Sequence, residues 1–496
     1  MEFYQIITIV SLIGCVLATL RSPFFGALAI LMVGVLRDTL ITETDYYFFE
    51  CHGVEILYIA TILSAAVARP DRMGQFMPRS MVDWGMLGFL LTLWMSALVN
   101  GVPIVDHKYI DLFMKATIMY FLLSRLADTP GRVTAVAAGI LIPTAYLCFL
   151  AWTKYRSGEV RYARPYIGSS YHDFGLQLVV TLPLIGAMLA KPFRLPVRGA
   201  LLGLMGLLAL FFMERESYTE FGVTAIVLSG GVLVAICWSL PVRLALFGLI
   251  PMFVLTGMRT QSRSTYLGIF VGLGLLAWFH RQRWGWVLLV AAPVVAYAIL
   301  HQPEAVGSRV SSIWTGKLEP GVQDTSIEMR LEQLRTAMTV IQSNPVFGIG
   351  PRQFFEQYAE NVDQSESLGQ GWTYTMHSVP LLIGCEEGLV GLLAYYGLLV
   401  YGSLREATRT LRRTRGDPEM EMVGLAAAGG MMGFVAFLAY GIGQPQMWVI
   451  NIYGMVALVT AAHRVAEARE QELAAQSAEA EQPEPAGPHT TEIVFS

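Results

Sequence analysis

The sequence predicts an all-α, polytopic integral membrane protein with about 12–15 transmembrane helices. Three observations predict this fold class. Hydrophobic residues make up 54% of the chain, and charged residues only 15%, whereas a soluble domain carries about 25%. The apolar residues occur in blocks of about 20, the length that crosses a bilayer as a helix. A transmembrane β-barrel would instead show short alternating segments, and the sequence has none.

Composition divides the chain into five regions. Residues 1–160 and 161–301 are predicted to be N-terminal and core transmembrane helices, and 377–464 the C-terminal ones. Between them lies a polar segment, 302–376, which is far longer than an ordinary connection and predicts a loop domain outside the membrane. The last segment, 465–496, is rich in Ala, Glu, Gln and Pro and is predicted to be a disordered cytoplasmic tail.

Basic loops orient the chain. Alternation of the spans puts one set of them on a single side, which the positive-inside rule makes cytoplasmic. The set comprises Arg69, Arg72, Arg79, Arg125, Arg132, Lys191, Arg194, Arg198, Arg281, Arg283, Arg405, Arg409, Arg412, Arg413 and Arg415. The polar segment 302–376 then lies on the outer side, together with a second set of arginines that the rule does not explain for short loops.

One of these outer arginines, Arg263, stands at the mouth of a predicted span. Ser262 is a suitable N-cap for a helix that begins there. An arginine opposes the helix dipole in the first turn, but Arg and free N–H groups together suit a phosphate. Alternatively, Arg263 is an interfacial arginine that snorkels to water. The sequence leaves both interpretations open.

The polar segment contains an amphipathic helix. Thr325 and Glu328 have capping-box spacing, and Asn344-Pro345 followed by Gly348 and Gly350 predicts the stop and a tight return. An apolar stripe recurs every three or four residues and predicts the packed face. It consists of Ile327, Leu331, Leu334, Met338 and Ile341. Arg330 and Arg335 flank the stripe, and periodicity alone favours solvated charges at both positions.

His377 begins the next predicted span, at its outer end. An imidazole there is either a structural hydrogen-bonding group or a general base, since it titrates near neutral pH. Glu386 and Glu387 lie deeper in the same span. Intramembrane carboxylates are expensive, so they either have a function or satisfy a polar group of a neighbouring helix.

The order of these motifs resembles the bacterial O-antigen ligase family, whose superfamily also contains O-antigen polymerases and protein O-glycosylation ligases. The motifs are TQSRSTYLG at a span mouth, then NPVFGIGP after the long loop, then MHS and EEGLVG. The resemblance covers about residues 160–400. RPYIGSSYHDFG is similar to the family's outer segment but lacks an Asn-rich signature near His172, and Ser378 stands where members often have Asn.

The resemblance implies a GT-C-like, lipid-linked-sugar glycosyltransferase architecture with a periplasmic active site. By this resemblance the catalytic residues are Arg263, Arg330 and His377. Further outer arginines are secondary candidates for binding the diphosphate, and two residues are candidates for support. These are Arg164, Arg215, Arg335 and Arg352, with Glu387 and Ser262.

The expected activity is that of a multi-pass enzyme of the bacterial inner membrane that serves lipopolysaccharide or other polysaccharide biosynthesis. It moves a glycan from a polyprenyl diphosphate, such as undecaprenyl diphosphate, to lipid A, a protein or another glycan, with inversion. Arginines neutralise the leaving diphosphate and His377 accepts the acceptor proton. No cofactor, metal or nucleic acid is expected. A polymerase of the same superfamily and a transporter or flippase of lipid-linked glycans are the alternatives.

Overall fold

The structure of the protein, a computed structural model, is predominantly helical in the residues that it describes, and the predicted all-α fold class is confirmed. It describes residues 3–37, 53–68, 74, 76–104, 107–158, 163, 171–188, 240–260, 262–279, 317–319, 322–323, 325–354 and 376–480. Within the predicted core transmembrane region 161–301, residues 189–239 and 280–301 lie outside these residues.

The N-terminal and core helices follow the predicted apolar spans closely. They are α1 (Phe3–Arg21), α2 (Pro23–Arg37), α3 (Gly53–Ala68), α4 (Met81–Val99), α5 (Lys108–Leu126), α6 (Pro130–Arg156), α7 (Tyr171–Met188), α8 (Leu240–Arg259) and α9 (Arg263–Phe279). Within the polar segment, two short strands pair antiparallel ahead of one helix. These are β1 (Lys317–Glu319), β2 (Val322–Gln323) and α10 (Thr325–Ser343).

The C-terminal helices begin at Val379, two residues after His377. They are α11 (Val379–Glu386), α12 (Gly388–Leu392), a π-helical stretch (Leu393–Val400), α13 (Tyr401–Arg413), α14 (Glu421–Gly441) and α15 (Ile450–Ala480). Among the described residues, four helical stretches are long and apolar enough to cross a membrane: Met81–Val99, Pro130–Tyr155, Gly388–Arg413 and Glu421–Gly441. Length and composition therefore identify a multi-pass membrane protein.

Glycines bring three helices into close contact. On α14, the GxxxG pair Gly429 and Gly433 faces α7, and a Cβ at Gly433 would collide with the Val180 carbonyl. On α9, a Cβ at Gly268 would meet the Val179 side chain 2.5 Å away. Small residues allow such backbone approach between helices in a membrane. The packing brings together the start of α7, the start of α9 and the end of α14.

The predicted span that begins at His377 is not one continuous helix. It breaks at Glu387, and Gly388 takes a left-handed conformation (φ 68°) between α11 and α12. The physical reason is an intruding loop, because Leu389 donates its N–H to the Pro345 carbonyl at 2.8 Å. A Cβ on Gly388 would collide with the Val346 carbonyl. Backbone groups freed by the break are thus satisfied by the loop, as burial requires.

The tail prediction is wrong for residues 465–480, because α15 continues to Ala480. Ala, Glu and Gln are good helix formers, and here the helix has anchors as well. Arg469 lies 2.9 Å from Glu419 and 3.0 Å from Glu472, and Arg413 lies 2.7 Å from Glu470. Residues 481–496 lie outside the described part of the chain.

Candidate active site

The predicted mouth of α9 has the geometry of a capped helix start. Arg263 is its first residue and is half-buried. The backbone N–H of Thr265 donates to Ser262 Oγ at 3.5 Å, which is the N-cap contact. His172, in the polar first turn of α7, lies beside it, with Nδ1 3.3 Å from Ser262 Oγ. Tyr440 near the end of α14 donates its hydroxyl to the His172 carbonyl at 2.8 Å.

The turn after α14 links this group to His377. A Cβ on Gly443 would lie 2.6 Å from Ser264 Oγ, so the turn rests directly on the first residues of α9. Two residues earlier, a Cβ on Gly441 would lie 3.2 Å from the Val379 side chain, at the start of α11. Gln444 is buried at 3% exposure and lies close enough to the His377 ring to affect its pKa. His377 and the start of α9 therefore lie at the same end of the bundle.

Arg330 lies on the packed face of α10. The buried residues Gln333, Ala337 and Val340 follow it at helical spacing on one side. That side packs against α11, where Cys385 Sγ donates to the Ala337 carbonyl at 3.6 Å. Arg335 is exposed, and a helix turns about 140° over those five residues. The structure thus separates two arginines that the sequence left equivalent.

The predicted apolar stripe of α10 is wrong at its centre. Leu334 is 41% exposed and Met338 is 47% exposed, while Ile341 packs against Gly384 of α11. The reason is that a small residue, Ala337, allows α10 to approach α11 closely, which turns the larger side chains outward. In a membrane protein, exposed apolar side chains are compatible with a lipid environment.

The positive charge of Arg330 acts on two histidines at this end of the bundle, His377 and His172. Burial, and then the Arg330 guanidinium, lower the pKa of His377 to about 4, and the nearby Gln444 side chain opposes this. Burial, followed by His377 and Arg330, likewise lowers the pKa of His172, ahead of the apolar part of α7, to about 4. Both rings are therefore neutral at neutral pH. His377 Nδ1 is buried and has no hydrogen-bond partner among the described residues.

Hydrogen bonds hold the loop after α10 against the break between α11 and α12. Ile349 donates its N–H to the Cys385 carbonyl at 2.9 Å, and Gly350 donates to the Glu386 carbonyl at 3.0 Å. Gly348 takes φ 65°, as the predicted tight return requires. The end of α4 seals this junction, because Ser96 Oγ lies 2.6 Å from the Phe347 and Glu386 carbonyls.

The two acidic residues of EEG have different surroundings. The carboxylate of Glu386 accepts backbone hydrogen bonds from Arg352 and Phe354, so it holds the loop. Glu387 is fully buried, and neither of its carboxylate oxygens has a hydrogen-bond partner among the described residues. Glu387 therefore stays a candidate supporting residue, because its buried carboxyl group has no structural partner among the described residues. Glu386 has a structural role, because it binds the loop backbone.

Arg352 lies next to this junction with its backbone in the left-handed region (φ 65°). Its side chain is exposed, with the guanidinium carbon 5.8 Å from the ring centre of Tyr109. Burial raises the pKa of Tyr109 at the start of α5; Arg352 opposes this, while Glu386 and Asp173 add to it. Arg352 is therefore within electrostatic reach of the same end of the bundle. Arg164 and Arg215 lie outside the described residues.

Sequence reasoning did not include His172, Tyr440 or Gln444 among the site residues. One signal was available for Gln444: the turn GIGQPQMW joins two apolar spans on the same side as His377 and contains two glutamines. His172 lies in RPYIGSSYHDFG, the stretch that resembles the family's outer segment, whereas Tyr440 had no comparable signal. Their contact depends on how α7 and α14 pack, and that packing is not visible in local sequence.

The fold and site define a multi-pass helical membrane protein with a polar, arginine- and histidine-containing site at one end of its bundle. Residues 247–396 match the family model described as O-antigen ligase (Wzy_C). This match confirms the predicted resemblance to the O-antigen ligase and polymerase superfamily over that segment, which contains Arg263, Arg330 and His377. Members of the family are glycosyltransferase-like enzymes that use lipid-linked glycans in a membrane. No curated protein matches the chain by sequence.

Proposed function

We propose that the protein is an O-antigen ligase-type glycosyltransferase of the bacterial inner membrane, with its active site on the periplasmic face. It moves an oligo- or polysaccharide from a polyprenyl diphosphate to lipid A or a protein. The observation that carries the proposal is the common location of a neutral His377, the inward-facing Arg330 and the capped start of α9. An acid–base group and cationic phosphate ligands are the groups that this transfer needs.

The donor diphosphate is bound at the start of α9 in this proposal. The free N–H groups of the first turn and the Arg263 guanidinium together favour an anion with several oxygens. Arg330 approaches from α10 and adds a second cation. Because the leaving group is already a weak base, it needs neutralisation of growing negative charge more than it needs a proton.

His377 is the general base. Its imidazole takes the proton of the acceptor hydroxyl as the acceptor oxygen forms a bond to the anomeric carbon. The bond from that carbon to the phosphate oxygen breaks in the same displacement, and polyprenyl diphosphate leaves with the electron pair. A single displacement inverts the anomeric centre. A low pKa keeps the ring unprotonated over the whole neutral range, as a base requires.

A purified-component assay tests the function. The protein in detergent is mixed with a polyprenyl-diphosphate glycan and either lipid A, a protein acceptor or a second lipid-linked glycan. Glycan on lipid A or protein, with release of polyprenyl diphosphate, supports the ligase. Longer lipid-linked chains support a polymerase, and the absence of any new glycosidic bond supports a transporter or flippase. Arg263→Ala and His377→Ala should abolish product while protein abundance is unchanged; reduced abundance would favour structural roles.

A further inference from the structure

We propose that the exposed face of α13 is a binding site for anionic phospholipid headgroups, at the end of the bundle opposite to the candidate active site. Three exposed arginines form this basic stripe: Arg405, Arg409 and Arg412. Its ligand class is a membrane lipid with a negatively charged phosphate, such as phosphatidylglycerol. The inference goes beyond the proposed function, because it does not depend on glycan transfer.

Helix α13 has one face inside the protein and one face outside it. The buried face packs against α14 and α15, where Thr460 Oγ1 donates to a carboxylate oxygen of Glu406 at 2.7 Å. The exposed residues recur at helical spacing and so share the opposite face. They are Tyr401, Arg405, Thr408, Arg409 and Arg412. Helical geometry therefore places the three guanidinium groups on one side of the helix.

The basic stripe carries charge that the described part of the protein does not neutralise. Among the residues that the structure describes, none of its three arginines forms an ion pair with a carboxylate. Acidic side chains at this end of the bundle bind other arginines instead. Arg413 lies 2.7 Å from Glu470, and Arg469 lies 2.9 Å from Glu419. An anionic partner from outside the chain would complement the stripe.

The order of exposed residues along this span indicates that the stripe lies near the lipid headgroups. Leu389 and Leu393, ahead of α13, are exposed apolar residues that suit the hydrocarbon of a bilayer. Tyr401 follows and is also exposed, and tyrosine is enriched where a membrane meets water. The arginines come next. Because side chains in a helix tilt toward its N-terminus, the arginine side chains lean back toward the bilayer.

Helix α4 shows that the stripe lies opposite to the candidate active site. A Cβ on Gly402 of α13 would lie 3.2 Å from the backbone nitrogen of Val82, at the start of α4. Directly after the other end of α4, the Asn100 side chain donates to the Gly348 carbonyl at 3.1 Å, in the loop after α10. The 19 residues of α4 span about 28 Å, close to the thickness of a bilayer core. The positive-inside rule predicts that the leaflet at α13 is the cytoplasmic one.

A phospholipid is the occupant that charge and position favour. A guanidinium donates to two phosphate oxygens at once, which suits a headgroup better than a single neutral acceptor. A leaflet with anionic lipids presents many such phosphates beside the exposed apolar side chains of the same span. Each basic residue near such a surface strengthens binding by about fivefold.

Native mass spectrometry of the full-length protein tests the site. The protein is released from detergent micelles that contain phosphatidylglycerol or phosphatidylcholine, and the lipids that stay bound are counted. We expect the wild type to retain phosphatidylglycerol in preference to phosphatidylcholine. Arg405→Gln/Arg409→Gln/Arg412→Gln should weaken the apparent affinity for phosphatidylglycerol on the order of 100-fold. Arg405→Lys/Arg409→Lys/Arg412→Lys keeps the charge and should retain most of the affinity.

A matched control separates the stripe from net charge. Arg132→Gln/Arg413→Gln/Arg469→Gln removes the same number of positive charges, but from arginines that are ion-paired with Asp128, Glu470 and Glu419. This variant should keep the wild-type affinity for phosphatidylglycerol. Equal weakening in the two glutamine variants, or unchanged affinity in the stripe variant, overturns the proposal.

Thermal unfolding provides the second readout. Without lipid, the glutamine variant of the stripe should unfold at the wild-type temperature, because its arginines form no ion pairs within the described residues. Added phosphatidylglycerol should raise the unfolding temperature of the wild type and of the control, but not of the stripe variant, since a ligand that binds the native state stabilises it. A lower unfolding temperature of the stripe variant without lipid would assign the arginines a structural role. Loss of an oligomer in its mass spectrum with lipid binding retained would assign the stripe to a protein contact, and either result contradicts the proposal.

Discussion

The N–H of Ile349 donates to the carbonyl of Cys385 at 2.9 Å, joining the loop after α10 to the last turn of α11. Together with the hydrogen bond from the Gly350 N–H to the Glu386 carbonyl, it pairs two sequence motifs, NPVFGIGP and EEGLVG, that are separated by more than 30 residues along the chain. Below it, Ala337, Val340 and Leu382 form a small core between the two helices. Since Arg330 precedes that core on α10 and His377 precedes α11, the junction determines how the two side chains approach each other.

Arg330 and Arg335 provide a matched pair on one helix. Arg330→Ala should reduce glycan transfer on the order of 10²–10³-fold, because a donor aimed at developing negative charge is lost. Arg335→Ala should retain transfer within about twofold, since exposed surface charges contribute little. Initial rates of product formation at saturating donor measure both. An equal loss of glycan transfer in the two variants would contradict the prediction that only the arginine on the face packed against α11 takes part in transfer.

The pH profile should reveal a weakly basic histidine. Burial and the charge of Arg330 lower the pKa of His377 to about 4. A general base must be unprotonated, so the rate should stay level from neutral pH downward and fall as the pH drops through about 4. Arg330→Gln removes a repelling charge and should move this acidic limb to higher pH in the residual activity. Initial rates corrected for uncatalysed donor hydrolysis check this, and a wild-type limb near the ordinary histidine value of about 6.5 would contradict it.

Gly348→Ala should disrupt the junction between loop and broken helix. Gly348 has φ 65°, and an added Cβ would collide with the Cys385 carbonyl, which belongs to rigid backbone. The left-handed strain alone costs about 1–3 kcal/mol, and the displaced loop loses its hydrogen bonds as well. Thermal unfolding in detergent and limited proteolysis of the loop measure the effect. Gly274→Ala is the control, because a Cβ there meets nothing within 4 Å and should be tolerated.

Breaking a buried ion pair at the opposite end of α4 and α5 should be strongly destabilising. Arg125 and Asp83 lie 2.6 Å apart, and each side chain is 1% exposed. Arg125→Leu leaves a buried carboxylate without its counter-charge, which costs about 3–5 kcal/mol. Arg132 and Asp128 also lie 2.6 Å apart, but each side chain is 29% exposed. Arg132→Leu should therefore lower the free energy of unfolding by only about 0–1 kcal/mol. Unfolding temperatures of both variants give the comparison; similar shifts would refute the burial argument.

Local pattern was sufficient for much of this molecule. The bounds of α4, α6 and α14 follow from apolar runs, and the stop of α10 before Asn344-Pro345 follows from the missing N–H and fixed φ of proline. The ordered motifs also predicted the family and the candidates Arg263, Arg330 and His377. These inferences succeed because they depend on residues that are neighbours in the chain, or on the requirement that a membrane span be apolar and helical.

Tertiary packing decided the rest. Only the contact of Ala337 with α11 determined that Arg330 faces inward while Leu334 and Met338 face outward. Likewise, only the crossing of helices brought Gln444 to His377 and His172 to Ser262. The sequence by itself determined a helical membrane protein and the residue types of its site. Which side chains meet was settled by close approach at small residues, because that approach depends on the fit of two distant surfaces and leaves no periodic signal in either one.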